Sequence, residues 1–177
     1  ASKFFKPWLR VLMLGSAIPA KLALAGFLFY LAPLALSQLG YAPAAIGRAV
    51  MLYLILVAAL NPVASRLSAR SGWRLSITLA GGLLIGAGGL AGLLGGEAGI
   101  WLGIAGLGIG TGIATAPMQA LASELGAGAG AGATAVAVVL RTLERLGSVI
   151  GPLWAGLWLT SSGWSGAMAA IGAAVLA

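Results

Sequence analysis

What most constrains this chain is the length of its apolar runs. Six follow one another, most of them about 20 residues long with few charges, joined by short polar or glycine-rich stretches. A helical run of that length matches the hydrocarbon thickness of a bilayer. Only helices and closed barrels satisfy every backbone group in hydrocarbon. A barrel needs short segments alternating polar and apolar residues, and these runs do not alternate. Charged residues make up 7% of the 177, against about 25% in an ordinary soluble domain, too few to cover a soluble surface. The sequence therefore predicts an all-α, polytopic membrane helix bundle, a single domain over residues 1–177 with the lipid bilayer as a partner.

The first helix is expected over about Pro7 to Gln38, bent at Pro19 and Pro33, where a backbone donor is missing. An uncharged connector, Leu39 to Pro43, leads to a second helix over about Ala44 to Leu67. The third, about Trp73 to Leu94, ends in a tight turn over Gly95–Gly99. The fourth, about Ile100 to Leu125, carries Gly103, Gly106, Gly108, Gly110 and Gly112. Its pairs Gly106/Gly110 and Gly108/Gly112 let neighbouring backbones approach closely. Gly126–Gly132 reads as a flexible connector or a frayed helix start. The fifth helix follows over about Ala133 to Ser161, and Ser162–Gly163 turns the chain. The sixth run, Trp164 to Ala177, is too short to span and reads as a span cut short. With no Met at its start, the chain reads as a fragment of something longer.

Arg66, Arg70 and Arg74 recur every four residues between the second and third runs. A short basic loop between two spans is expected in the cytoplasm, because Lys and Arg resist translocation. Lys3, Lys6 and Arg10 then lie on the same side, and Arg48 and Glu97 lie outside. Both chain ends are cytoplasmic once the sixth helix is completed, and the expected location is a bacterial inner membrane. The formal net charge of +7 then serves topology and lipid headgroups rather than nucleic acid.

The absences narrow the chemistry. There is no Cys and no His, and no Asp; the acids are Glu97, Glu124 and Glu144. Gly163-Trp-Ser-Gly166 is similar to the nucleophile motif of rhomboid proteases, yet a serine needs a base and no histidine can supply it. Paired aspartates for an intramembrane aspartyl protease are missing too, as are His or carboxylate clusters for a metal. No enzyme activity, metal or cofactor is expected.

Two motifs carry a resemblance. Ser65-Arg-Leu67-Ser-Ala69-Arg70-Ser-Gly72-Trp-Arg74 is similar to the G-x-L-A-D-R-x-G-R-R loop after the second helix of each half of major facilitator superfamily transporters. Leu67, Arg70, Gly72 and Arg74 fit; Ser65, Ala69 and Trp73 depart, and Ala69 removes the acid that partners the loop's cations. Gly147-Ser-Val-Ile-Gly151-Pro152-Leu-Trp-Ala155-Gly156 resembles that family's fifth-helix G-x-x-x-G-P-x-x-G-G motif, with Ala155 for one glycine. Physically it is a close-packing face followed by a proline. The resemblance covers essentially the whole chain and fits a C-terminal six-helix half. It implies secondary transport of a small solute by alternating access, with the substrate site between this half and a missing N-terminal half of the same chain. A transporter-like sensor domain fused to signalling modules is the alternative.

Single residues then gain two readings each. Lys21 lies about 16 Å beyond Arg10 by helical rise, and a charge at that depth costs about 3 kcal/mol unless it faces protein or a wet cavity. It is either a contact for an anionic substrate or a coupling ion, or a structural lysine. Arg141, Glu144 and Arg145 share one face of the fifth helix at i, i+3 and i+4. They read as a polar seam on the pathway, or as headgroup contacts if the helix starts later. Gln119 on the fourth helix is a further pathway candidate. Arg66, Arg70 and Arg74 set topology, or act as a gate with Glu124 as partner. Arg48 and Glu97 read as solvated helix ends, and Phe27, Phe29 and Tyr30 as packing or interfacial aromatics. The layout predicts that single cysteines at Ser2 and Ser68 react with an impermeant thiol reagent only from the cytoplasmic side. Cysteines at Ala42 and Ala98 should react only from outside, and reversed accessibility refutes the layout.

Overall fold

The computed structural model describes residues 17–69, 71–128 and 132–176. They are helical almost throughout, with no strand among them. Helix α1 is Ile18–Gln38, α2 is Pro43–Leu67, and α3 is Arg74–Leu90, continued by a 3-10 turn over Ala91–Leu94. Helix α4 is Gly96–Gly128. The last stretch, Ala133–Leu176, breaks at Gly163, where φ is 67° and ψ is −176°. Its two parts are α5, residues 133–162, and α6, residues 164–176. Counting that stretch once, 5 helices are long and apolar enough to cross a membrane.

Paired positions fix the direction of each helix. Gly81 meets Gly110 and Ala114, and Gly88 meets Gly103 and Gly106, so α3 and α4 are antiparallel. Gly108 meets Tyr53 and Leu56 while Gly112 meets Leu60, so α2 and α4 run together. Gly147 lies on Ile18 and Gly151 on Leu22, so α5 runs with α1. Gly92, Gly89 and Gly86 meet Met168, Gly172 and Leu176 in that order, so α6 runs against α3. Phe27 packs on Gly103, and Lys21 shares a cavity with Thr111, so α1 runs against α4. Successive rods therefore alternate in direction, and the chain reverses at Gly163. A positive φ there strains any residue with a Cβ, which is why a one-residue reversal falls on glycine.

The two small-xxx-small pairs of α4 serve different neighbours. Gly106 and Gly110 face α3, and Gly108 and Gly112 face α2. In lipid such close approach replaces the hydrophobic drive that holds helices together in water. Two buried clusters cap the bundle. One, away from the basic loop, holds Phe27, Leu28 and Leu31 of α1, Ile100 and Ile104 of α4, and Met168 and Ile171 of α6. The other, nearer the loop, holds Ala17, Met118, Ala122, Val136 and Leu140.

Three features differ from the sequence expectation. Helix α4 starts at Gly96 rather than Ile100, with Gly95 and Gly96 both at positive φ in the turn, and Glu97 sits in the first helical turn where its charge suits the helix dipole. At its other end α4 continues into the expected connector as far as Gly128. Gly126 is held against Val136 of α5, so packing overrides the weak helix propensity of glycine. Within α1, Leu24–Leu31 is π-helical, and the Ala32 N–H donates to the Phe27 carbonyl five residues back. Pro33 has no N–H to offer the preceding turn, which leaves the ladder free to take the longer step. Pro19 stands in the opening turn of the segment Ile18–Ala23; the earlier part of the expected first helix lies outside the described residues.

The glycine contacts yield a direct test. A Cβ at Gly81 would sit 2.6 Å from the Ala114 Cβ and 2.7 Å from the Gly110 carbonyl oxygen, whereas Gly82 faces open space. Gly81→Ala should lower stability by about 1–3 kcal/mol through overpacking, and Gly82→Ala should melt at or slightly above wild type. Detergent melting curves of the two variants check this, and equal melting would remove the role assigned to the α3–α4 contact.

Candidate functional site

Between the two clusters, α1, α3, α4 and α5 enclose a cavity of about 30 Å³, room for about two water molecules. Lys21, Leu24, Ile85, Thr111, Thr115 and Glu144 are among its lining residues. Glu144 is 6% exposed, and Lys21 is half-buried. Although they share the cavity, the two do not pair. Lys21 makes no hydrogen bond or ion pair among the described residues. Glu144 accepts instead from Arg141, whose Nη1 lies 3.1 Å from Oε2. One partner of that pair is largely exposed, so the gain is about 0.2–0.5 kcal/mol, as for other pairs along a helix.

The hydroxyls of α4 complete the polar lining. The Thr115 hydroxyl donates to the Thr111 carbonyl at 2.6 Å. The Thr111 hydroxyl is buried beside the Tyr53 phenol of α2, the one polar group set against it among the described residues. Among the described residues the cavity therefore offers a cation without an anion and a buried hydroxyl, beside a carboxylate that Arg141 holds. Such a lining can bind water, a proton or one end of a small anion. Close packing of α5 on α1 sets the cavity's width. A Cβ at Gly147 would lie 3.0 Å from the Lys21 Cβ, and one at Gly151 would lie 2.7 Å from the Leu22 carbonyl oxygen.

The structure separates the expected α5 triad. Glu144 turns inward, while Arg141 and Arg145 are exposed and line a shallow groove on the outer side of α5 with Thr134, Val138 and Thr142. The buried stripe of α5 runs through Leu140, Glu144, Gly147, Gly151 and Ala155, which leaves positions 141 and 145 on its flank. Gln119 is half-buried and does not line the cavity. Gly156 approaches the Tyr30 hydroxyl at 3.8 Å from an added Cβ, and Pro152 lies in the helix interior. Phe27 is buried, whereas Phe29 and Tyr30 are exposed.

At the basic-loop end, Arg74 joins three helices. Its Nε donates to the Ser68 carbonyl that closes α2, at 2.8 Å. Its Nη1 lies 2.8 Å from Oε2 of Glu124 on α4. Both partners are partly exposed, so the ion pair contributes about 0–1 kcal/mol. Leu67 is exposed, and Gly72 has open space where a Cβ would stand, so packing does not require glycine there. Arg70 lies outside the described residues, as do Lys3, Lys6 and Arg10.

At the opposite end Glu97 is exposed, as expected of a solvated helix end, and it also has protein partners. It accepts from the Tyr41 hydroxyl and from Trp101 Nε1, the latter at 3.3 Å, and so ties the α1–α2 connector to α4. Sequence reasoning missed Tyr41, Trp101, Thr111 and Thr115. Two hydroxyls one turn apart on a glycine-rich helix were the available signal for the last two. Comparison of the chain with known protein families, with characterised proteins and with solved structures finds no match.

The unpaired lysine gives a prediction. Lys21→Met removes a half-buried charge that no anion compensates, so it should melt at or above the wild-type temperature in detergent. A loss of about 3–5 kcal/mol is what breaking a buried ion pair costs, and a drop of that size would show Lys21 paired after all.

Proposed function

We propose that this chain moves a small solute across the membrane by alternating access, as one half of a transporter of the major facilitator type. In this reading a second six-helix half supplies the other wall of the pathway. Lys21 binds the anionic end of the solute, and Glu144 carries the coupling charge. Both chain ends face the cytoplasm of a bacterial inner membrane. The observation that carries the reading is the pairing pattern of the cavity. Lys21 and Glu144 line one small space inside an apolar bundle, and Lys21 has no partner among the described residues. Charges at such depth are expensive and mark ion or substrate paths in membrane proteins. Arg74 with Glu124 closes the cytoplasmic ends of α2, α3 and α4 in the same scheme. Glycine-lined contacts between rods of alternating direction fit a half that moves as a unit.

The test is uptake into proteoliposomes by the full-length protein, across a panel of small carboxylates and phosphate esters, with and without a proton gradient. Lys21→Met should lower uptake of the transported anion by at least about tenfold, a loss of about 1.4 kcal/mol, while its melting temperature stays at wild type. Glu144→Gln should uncouple uptake from the gradient. A Lys21→Met protein that folds and transports as wild type removes the proposal.

A further inference from the structure

The outer face of α5 presents two arginines one helical turn apart where lipid would be. Arg141 and Arg145 line a groove of about 300 Å³ whose floor is Ala137 and Val138 and whose far end is Thr134. The groove starts at the depth of the basic loop. Val136 packs on Gly126, two residues from Glu124, which pairs with Arg74. By helical rise Arg141 and Arg145 lie about 8 Å and about 14 Å further into the membrane. Cα–Cβ bonds tilt toward the helix N-terminus, and on α5 that direction leads back to the loop level. Long arginine stems lean that way along apolar surface and carry the charge part of the distance back. Thr134 lining the same groove as Arg145 fits this return.

No acid of this chain is left to meet these cations. Glu97 is engaged at the opposite end, Glu124 holds Arg74, and Glu144 faces the cavity with one Arg141 Nη1 upon it. A second copy of the chain would bring the same deficit. Arg141 keeps further N–H donors beyond the one given to Glu144, and Arg145 keeps all of its own. The Thr134 hydroxyl is free among the described residues, while Thr142 spends its donor on the Val138 carbonyl. The groove therefore offers guanidinium forks and one hydroxyl above an apolar floor. A phosphate fits the forks, and an acyl chain fits the floor, which a soluble phosphate would leave uncovered.

We propose that the Arg141–Arg145 groove binds the phosphate of an anionic phospholipid in the leaflet at the basic-loop side. The site is separate from the Lys21 cavity and does not depend on the transport reading. Arg141 does not line that cavity but pairs with Glu144, which does, so the bound lipid and Glu144 hold opposite sides of one guanidinium.

Native mass spectrometry of the full-length protein, with phosphatidylglycerol or phosphatidylcholine added to the detergent micelle, tests the proposal. Phosphatidylglycerol should be retained preferentially. Arg145→Gln should weaken retention about fivefold and Arg141→Gln with Arg145→Gln about 25-fold, from the usual worth of a basic residue near an anionic leaflet. Arg48→Gln, an exposed charge at the other end of the bundle, should change nothing. Arg145 holds no ion pair among the described residues, so its single variant keeps the test valid if the double variant misfolds. Retention in the arginine variants equal to wild type overturns the proposal, as does equal retention of both lipids. Displacement of phosphatidylglycerol by millimolar inorganic phosphate would assign the groove to a soluble anion instead. A folded wild type that retains neither lipid would assign the face to a protein partner, and would overturn the lipid site equally.

Discussion

Backbone-to-backbone contact at glycine is what the rest of this bundle depends on. In hydrocarbon an apolar side chain gains little by exchanging lipid for another helix, so association rests on packing at close range. Here α3 meets α4 at Gly81, Gly88, Gly106 and Gly110, α2 meets α4 at Gly108 and Gly112, α5 meets α1 at Gly147 and Gly151, and α6 meets α3 at Gly86, Gly89 and Gly172. Each interface uses its own small residues. Among the large side chains, Phe27, Ile104 and Met168 belong to one buried cluster and Met118 and Leu140 to the other. The polar cavity lies in the space left between them.

Charge is arranged in three layers. Arg74 and Glu124 sit at the basic-loop end, Glu97 with Tyr41 and Trp101 at the other, and Lys21 and Glu144 between. The outer layers are satisfied by partners from different helices and so tie connectors to rods. The middle layer is not: its carboxylate is held by an arginine on the outside of the bundle, and its lysine by nothing among the described residues. That asymmetry is the feature hardest to explain as structure alone, because an unpaired charge within a membrane bundle costs stability.

Much of this was legible in the sequence, for physical reasons that differ by level. The apolar runs gave the rods because only helices of that length satisfy their backbones in lipid. Helical rise put Lys21 about 16 Å beyond Arg10, deep within its span. The glycine pairs of α4 were visible as pairs, but not that one faces α3 and the other α2. That assignment depends on rotation about the helix axis, which spacing leaves open. The same gap explains the triad, where i, i+3 and i+4 named a face too broad to tell Glu144 from Arg141 and Arg145. The clamp of Tyr41 on Glu97 joins residues far apart in the chain, and no local pattern announces it. The π-helical stretch of α1 could have been suspected from Pro33, yet a proline more often bends a helix than widens the turn before it.

The two flanks of α4 have a mechanical consequence. A rod gripped along one line by α3 and along another by α2 cannot roll, because rolling would drive either neighbour's backbone into a surface that lacks room for even a methyl group. Thr111 and Thr115 are therefore fixed in azimuth toward Lys21. Side chains also seat at these glycines, Leu56 at Gly108, Ile85 at Gly110 and Phe27 at Gly103, so each rod's height against the next is set as well. With rolling and sliding both opposed at the same contacts, displacement belongs to the bundle as one body rather than to shear between its rods.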